Sequence, residues 1–231
     1  MNPKRRTVAP APTPPVVLVA IAGGSGSGKT WLAAALRRRL HPRAGLISLD
    51  DFYRELPHLT VAERARTNFD SPAAIDWKLF EATLRAIAAG ETPILPRYDF
   101  ALHTRAPATR RWRRRAIVLI EGLWPWVQPR LRELYSLRIY RDADDAVRYE
   151  RRLVRDIQHR GRTPEAVAHQ WQTQVEPMYV RHVAPQQQSA DRVIEGKLSA
   201  RQLDALAERI RRLPVRHPAK GRWAPGVRSP G

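Results

Sequence analysis

The chain has 231 residues, 43% of them hydrophobic, which is enough to bury the core of one α/β domain. It contains no cysteine, which excludes disulfides and cysteine-ligated zinc. Its 41 Lys and Arg side chains against 22 Asp and Glu give a formal charge of +19, which predicts attraction to polyanions such as nucleic acid, membrane surfaces or phosphorylated small molecules.

The two ends of the sequence differ from its body. Residues 1–15 hold five prolines and no acid, and residues 214–231 hold four prolines and three glycines, so both are predicted to be disordered basic tails. Residues 16–213 are predicted to form the folded domain. The longest apolar run, at 16–23, is too short to span a bilayer and leads into a glycine loop rather than a signal-peptide cleavage site. We therefore expect a cytoplasmic protein with no membrane partner.

The body alternates apolar, strand-like runs with helical patterns. In chain order we predict a strand at 16–22, a helix at 28–40, a strand at 44–49, a helix between the cap Asp76 and Gly90, strands at 117–120 and 137–140, a helix at 144–159, a helix opened by Thr163 and Pro164, a short strand at 193–194 and a last helix behind the capping box of Ser199 and Gln202. Strands that alternate with helices predict a doubly wound parallel α/β sheet, here of about five strands.

The first strand and helix flank the motif G-x-x-x-x-G-K-[ST]. Its residues are Gly23, Gly24, Ser25, Gly26, Ser27, Gly28, Lys29 and Thr30. Glycines let backbone N–H groups surround a phosphate at the N-terminus of a helix. Lys29 can reach the β- and γ-phosphates of ATP or GTP, and the Thr30 hydroxyl can bind Mg²⁺. The motif predicts a P-loop NTPase, although it does not separate a kinase from a GTPase or a motor.

Acidic residues follow two of the predicted strands. Asp50 and Asp51 end the strand at 44–49, and Glu121 ends the strand at 117–120. Ligands of open α/β sheets bind beyond the carboxyl ends of the strands. Phosphoryl transfer needs one carboxylate to orient and deprotonate the attacking hydroxyl and another to hold Mg²⁺. We predict Asp50 for the first role and Glu121 for the second.

A run of six arginines lies between residues 148 and 162. Arg148, Arg152 and Arg155 recur at helical spacing and are expected on one face. Guanidinium groups bind phosphate oxygens bidentately, so this run predicts an Arg-rich helical lid over about residues 148–165. Arg155 and Arg160 are the candidates for stabilising the transferring phosphoryl group. The alternative is a solvated helix face with local pairs such as Arg155 to Asp156.

Several short sequence motifs follow one another between residues 17 and 195. Besides the phosphate loop they are Asp50-Asp51-Phe52-Tyr53, Asn68-Phe69-Asp70-Ser71-Pro72, Pro96-Arg97-Tyr98-Asp99-Phe100 with His103 and Arg105, Glu121-Gly122, the stretch from Arg151 to Gln170, Glu176-Pro177-Met178 and Ala190-Asp191. In this order and spacing the chain resembles the uridine–cytidine kinases, within the phosphoribulokinase/uridine kinase group of P-loop NTPases.

The resemblance implies a salvage reaction, in which the γ-phosphate of ATP or GTP passes to the 5′-hydroxyl of uridine or cytidine with Mg²⁺ present. It implies Asp50 as the general base, Tyr53 in the nucleoside pocket, and Asp70, helped by Arg152, as the acceptor of the ribose hydroxyls. The residues that it places around the pyrimidine are Tyr98, Phe100, His103, Arg162 and Gln170. It also implies a β-hairpin over the nucleoside site, for which residues 92–100 are the candidate, and a homo-oligomer, often a tetramer in the family.

The chain departs from the family pattern in four places. Trp31 and the stretch at 123–126 are bulkier than the pattern. Asp51 stands where family members carry Ser or His, which leaves open which aspartate is the base. Residues 195–197 replace the usual Pro-Arg-Gly, and the arginine-rich segment 105–115 has no family role.

Two other functions are weighed against the nucleoside kinase. One is a P-loop kinase of the same group with another small hydroxyl acceptor. The other is a nucleic-acid-binding P-loop protein, which the charge of +19 and the arginines around Trp112 favour. The preferred explanation of the charge is an arginine-rich organism or selection for solubility, so nucleic acid is not the favoured partner.

Overall fold

The computed structural model describes residues 16–216, so the predicted tails at 1–15 and 217–231 lie outside the described residues. The strands are β1 (Val17–Ala22), β2 (Ala44–Ser48), β3 (Ile94–Leu95), β4 (Tyr98–Asp99), β5 (Thr104–Arg105), β6 (Arg110–Arg111), β7 (Ile117–Gly122), β8 (Leu137–Arg141) and β9 (Arg192–Ile194). The helices are α1 (Lys29–Arg39), α2 (Val61–Ala65), α3 (Trp77–Ala88), α4 (Pro129–Arg132), α5 (Asp145–Arg160), α6 (Pro164–Gln170), α7 (Glu176–Met178) and α8 (Ala200–Arg211).

Five strands form one parallel sheet in the order β2-β7-β1-β8-β9. The predicted doubly wound parallel sheet is therefore confirmed. Residues along β1 alternate between two apolar layers because successive side chains point to opposite faces. Leu18 packs in the layer that includes Phe80 of α3, and Val19 packs in the layer that includes Leu36 of α1 and Leu206 of α8. Helices on both faces leave the carboxyl ends of the strands together at one edge.

The predicted helix caps are present. The Asp76 carboxylate accepts a hydrogen bond from the Leu79 N–H at 3.0 Å, at the start of α3. Ser199 forms a capping box with Gln202 at the start of α8, and the Thr163 side chain caps α6. Beyond α6 the chain stays helical, through π turns on either side of α7 and a 3₁₀ segment that ends at Ser189. This long helical stretch was not predicted.

The hairpin differs from the prediction that residues 92–100 form it. That segment supplies one arm only; β3 pairs with β6 and β4 pairs with β5, both antiparallel, so the second arm comes from residues 104–111. Each pair is only two residues long, since Pro93 and Pro96 cannot donate to a ladder. The arginine-rich segment that had no assigned role thus builds half of the hairpin. Trp112 follows this segment and is buried, and its backbone N–H donates to the carbonyl of Pro93 at 2.8 Å.

None of the helices between residues 16 and 216 has the length and the apolar content that crossing a bilayer needs.

Candidate active site

The glycine loop joins β1 to α1 at the carboxyl edge of the sheet, as its motif predicts. Gly26 has a φ of +80°, and a Cβ there would overlap the carbonyl oxygen of Arg148, so the loop packs against the backbone of α5. The Lys29 ammonium donates to the carbonyl of Gly24 at 3.3 Å. The hydroxyl of Ser27 is buried and has no hydrogen-bond partner in the part of the chain that the structure describes.

Glu121 lies at the end of β7 between two hydroxyls. Thr30 donates to one carboxylate oxygen at 2.9 Å and Ser48 donates to the other at 2.7 Å. The Ser48 hydroxyl also accepts the N–H of Asp50 at 3.4 Å, which ties the phosphate loop, β7 and the end of β2 together. Within residues 16–216, no three His, Cys, Asp or Glu side chains cluster to hold a metal ion. An all-oxygen set with one carboxylate fits Mg²⁺, which keeps waters and binds substrate phosphates.

Asp50 and Lys29 are the ionisable groups that face each other where the phosphate loop meets the cavity. Burial, together with the charge of Glu121, raises the pKa of the Asp50 carboxyl to about 6, although Lys29 opposes the rise. Burial also lowers the pKa of Lys29 against the attraction of Glu121 and Asp50. Asp51 lies differently: it accepts the N–H of Tyr98 at 3.4 Å and does not line the cavity.

A cavity of about 310 Å³ opens beside the phosphate loop. The structure brings twelve residues predicted as catalytic or substrate-binding into its lining. They are Lys29, Asp50, Tyr53, Asp70, Tyr98, Phe100, His103, Arg152, Arg155, Arg160, Arg162 and Gln170. Of the remaining predicted residues, Ser25 also lines the cavity, whereas the rest of the glycine loop and Glu121 do not.

One wall of the cavity is aromatic. Phe69, to which no role was assigned from the sequence, stacks on His103 with ring centres 5.3 Å apart and accepts the Tyr53 hydroxyl on its carbonyl at 2.9 Å. Tyr98 packs edge-on against Tyr53 and Phe100. Its hydroxyl is buried with no hydrogen-bond partner among the described residues. Burial, followed by the charges of Arg162 and Arg160, lowers the pKa of His103, which favours the neutral imidazole.

The facing wall is polar. Arg152 is buried and donates from both terminal nitrogens to the Asp70 carboxylate, each at 3.3 Å. The same guanidinium donates to the hydroxyl of Ser25 at 3.0 Å and to the amide oxygen of Gln170 at 2.9 Å. Arg162 also donates to that amide oxygen. Arg152 thus holds a carboxylate at the cavity and connects it with the phosphate loop.

Asp156 organises the arginines of α5. It is fully buried and accepts hydrogen bonds or ion pairs from four guanidinium groups at 2.8 to 3.6 Å, those of Arg152, Arg155, Arg160 and Arg162. Burial works to raise the pKa of Asp156, but these cations hold it below its ordinary value. From the sequence, Asp156 was predicted only as a local partner of Arg155. Its position four residues after Arg152, next to Arg155 and four residues before Arg160 was the available signal.

Arg148 shares the buried face of α5 with Arg152, as its spacing predicts, but it does not join the arginines at the cavity. Its guanidinium is buried between the rings of Trp171 and Tyr179, with centroids 5.2 and 3.7 Å away, and it pairs with Glu176 at 3.0 Å. Arg148 does not line the cavity. The helical stretch behind α6 supplies these partners, and because that stretch was not predicted, the role of Arg148 could not be seen.

Known proteins resemble this chain over most of its length. The family model described as "Phosphoribulokinase / Uridine kinase family" matches residues 18–202. A protein named "Uridine kinase" from Chloroflexus aggregans is 40% identical over 171 residues, covering 74% of this chain and 82% of that protein. One with the same name from Deinococcus deserti is 39% identical over 190 residues, covering 80% and 90%.

Solved structures share the fold. Phosphoribulokinase from Rhodobacter spheroides aligns with a TM-score of 0.59 at 20% sequence identity, over 84% of this chain and 75% of that one. The family model spans nearly all the described residues and the relatives exceed a third in identity, so this chain belongs to the phosphoribulokinase/uridine kinase family.

Proposed function

We propose that this protein is a Mg²⁺-dependent kinase that transfers the γ-phosphoryl group of ATP or GTP to the 5′-hydroxyl of uridine or cytidine. The observation that carries the proposal is that one cavity is lined by all of these groups. Asp50 and Lys29 lie next to the phosphate loop, and the aromatic side chains and the Asp70–Arg152 pair line the same cavity. The relatives named "Uridine kinase" support the choice of acceptor.

The two walls of the cavity suit a pyrimidine nucleoside. The aromatic rings of Tyr53, Phe69 and Tyr98 give a planar base an apolar surface, and the neutral imidazole of His103 can donate or accept at its edge. Asp70 can accept hydrogen bonds from two vicinal ribose hydroxyls while Arg152 fixes its orientation. The buried hydroxyl of Tyr98 is a further donor for the base.

With the ribose held this way, its 5′-hydroxyl would point to Asp50. The raised pKa of this carboxyl lets it accept a proton near neutral pH, which makes it a better base than an exposed aspartate. Lys29 and the loop N–H groups would orient the triphosphate of the donor. The neighbouring Arg155 and Arg160, held by Asp156, can stabilise charge on the transferring group.

Mg²⁺ would be held by Thr30 and, directly or through water, by Glu121, where it would neutralise charge on the phosphates. The residues themselves contribute position: Ser48 and Thr30 keep the Glu121 carboxylate aimed at the loop.

Residues 148–165 act as a lid that closes over the donor and excludes water. The protein forms a homo-oligomer, with a tetramer as the first arrangement to examine. It works in the cytoplasm, which the lack of cysteine fits.

The test is a coupled assay of ADP or GDP release with Mg²⁺. The acceptors are uridine, cytidine, adenosine, ribulose 5-phosphate, pantothenate and none, and Lys29→Met is the inactive control. Turnover with uridine or cytidine alone is expected, and it fixes the preferred acceptor and donor. Turnover with another acceptor instead would keep the kinase and overturn the nucleoside. A folded protein that binds ATP and turns over none of the acceptors would overturn the proposal.

A further inference from the structure

A second concavity, of about 520 Å³, lies at the outer edge of the sheet and shares no lining residue with the active-site cavity. Its wall is β2, which pairs with β7 on one side only and is therefore an edge strand. The last turn of α1 and the second arm of the hairpin close its other sides. We call it the edge cavity; its polar lining is Arg37, Arg38, His41, Arg110, Arg111, Arg113 and Arg115.

The edge cavity is strongly cationic. Six of its lining residues are arginines, and among the residues that the structure describes no Asp or Glu lines it. One of these arginines, Arg110, acts on the carboxyl of Asp51: burial raises the pKa of Asp51, and the charge of Arg110 opposes the rise. Six guanidinium groups around one concavity repel one another, and a bound polyanion would relieve that repulsion. Guanidinium groups match phosphate oxygens in geometry as well as in charge.

The position of Trp112 indicates which of two classes of polyanion fits the edge cavity. Its ring packs so closely on Gly45 of β2 that a Cβ there would overlap it, and only 5% of Trp112 is exposed. The indole is thus fixed in the wall and unavailable for stacking. Single-stranded nucleic acids bind largely by stacking their bases on aromatic side chains. The volume, by contrast, falls in the range of small-molecule sites. These features favour a compact phosphorylated ligand over RNA.

We propose that the edge cavity binds a linear polyphosphate group, carried by a nucleoside triphosphate or free as inorganic polyphosphate, at a site separate from the phosphate loop. The proposal does not depend on the nucleoside acceptor, because recognition here falls to the arginines of the hairpin and of α1.

The proposal is tested by a calorimetric titration of the full chain with inorganic tripolyphosphate. Wild-type protein should bind two equivalents, one at the phosphate loop and one in the edge cavity. The double substitution Arg111→Gln/Arg113→Gln removes two exposed arginines. It should lower the affinity for one equivalent of tripolyphosphate by about tenfold or more and leave the affinity for the other unchanged. Lys29→Ala should have the complementary effect. The matched control is Arg201→Gln/Arg209→Gln, which makes the same charge change on the exposed face of α8 and should retain both equivalents.

Titrations with ATP and with a 12-nucleotide single-stranded RNA identify the ligand. Equal weakening of ATP and tripolyphosphate by Arg111→Gln/Arg113→Gln supports recognition of the phosphates, whichever molecule carries them. One equivalent in the wild type, or equal weakening in the α8 control, would overturn the site. RNA binding that depends on Arg111 and Arg113 and resists competition by tripolyphosphate would assign the surface to nucleic acid instead.

Thermal unfolding reports whether each variant is folded, and Arg37→Gln/Arg38→Gln offers a second route from the other side of the cavity. Uridine turnover of the same proteins is measured separately. If the wild type binds one equivalent of tripolyphosphate but turns over uridine, only the edge-cavity proposal fails. If it binds two equivalents but does not turn over uridine, only the proposed kinase activity fails.

Discussion

Replacing Asp50 with Asn should move activity and stability in opposite directions. Burial and the neighbouring Glu121 raise the pKa of this carboxyl from 3.8 to about 6. Each pH unit corresponds to about 1.4 kcal/mol, so keeping Asp50 ionised at neutral pH costs the folded state about 3 kcal/mol. Asn has the same shape without the charge. The free energy of unfolding at pH 7.5 should therefore rise by about 1–3 kcal/mol, while kcat should fall by about 10²–10⁴ with loss of the base.

The pH dependence gives the sign of the effect. Because the pKa of Asp50 is higher in the folded state than in the unfolded chain, the wild type should gain stability as the pH falls through about 6 toward 4, relative to Asp50→Asn. Over the same range the kcat of the wild type should fall as the base becomes protonated. Urea unfolding at pH 5 and pH 7.5, alongside coupled ADP release, measures both.

Asp51→Asn is the matched control for this substitution. Asp51 is adjacent and partly buried but does not line the cavity, and Asn can still accept the N–H of Tyr98. Its kcat should stay within about threefold of the wild type, as expected for a group outside the reaction. If Asp50→Asn keeps full turnover while Asp51→Asn loses it, the base is Asp51. A marked destabilisation by Asp50→Asn would refute the account of its environment.

Three further substitutions test other parts of the site. Asp156→Asn removes the buried counterion of four arginines, so the free energy of unfolding should fall by about 3–5 kcal/mol; an unchanged urea midpoint would contradict this. Glu121→Gln removes the charge that Thr30 and Ser48 contact, and a Mg²⁺ titration of turnover should show a half-maximal concentration at least about tenfold higher; an unaltered Mg²⁺ requirement would place the metal elsewhere. Tyr98→Phe should raise the KM for uridine about 5- to 30-fold at nearly constant kcat, since one hydrogen bond to the base is lost; an unchanged KM would mean that the hydroxyl does not reach the base.

The sheet could be predicted because its signals are local. The run that becomes β1 and the first four residues of β7 are continuously apolar and rich in β-branched residues, as strands buried on both faces are. The glycine motif and Glu121 then follow from their positions at strand ends. Caps such as Asp76 and Ser199 also act within a few residues. When the two residues that form a contact lie within a few positions of each other, the sequence pattern predicts that contact.

Contacts between residues distant in the sequence could not be predicted. Nothing within residues 92–100 indicates that the partner strands come from an arginine-rich segment some ten residues later, because Pro93 and Pro96 weaken the local strand pattern. Arg148 likewise looks like its neighbours on α5, and only the packing of Trp171 and Tyr179 separates it from them. Both errors concern residues whose surroundings are supplied by a distant part of the chain.

The two edges of the parallel sheet have a consequence for how folded chains meet. An open edge is a template for pairing with another molecule and so for aggregation. Here β2 is bordered by the arginines around Trp112, and β9 is only three residues long and begins with the exposed Arg192. Bringing two such edges together would juxtapose like charges, so the basic surface opposes sheet-to-sheet association. That protection weakens as salt screens it, and high ionic strength is where these chains should begin to self-associate through their edges.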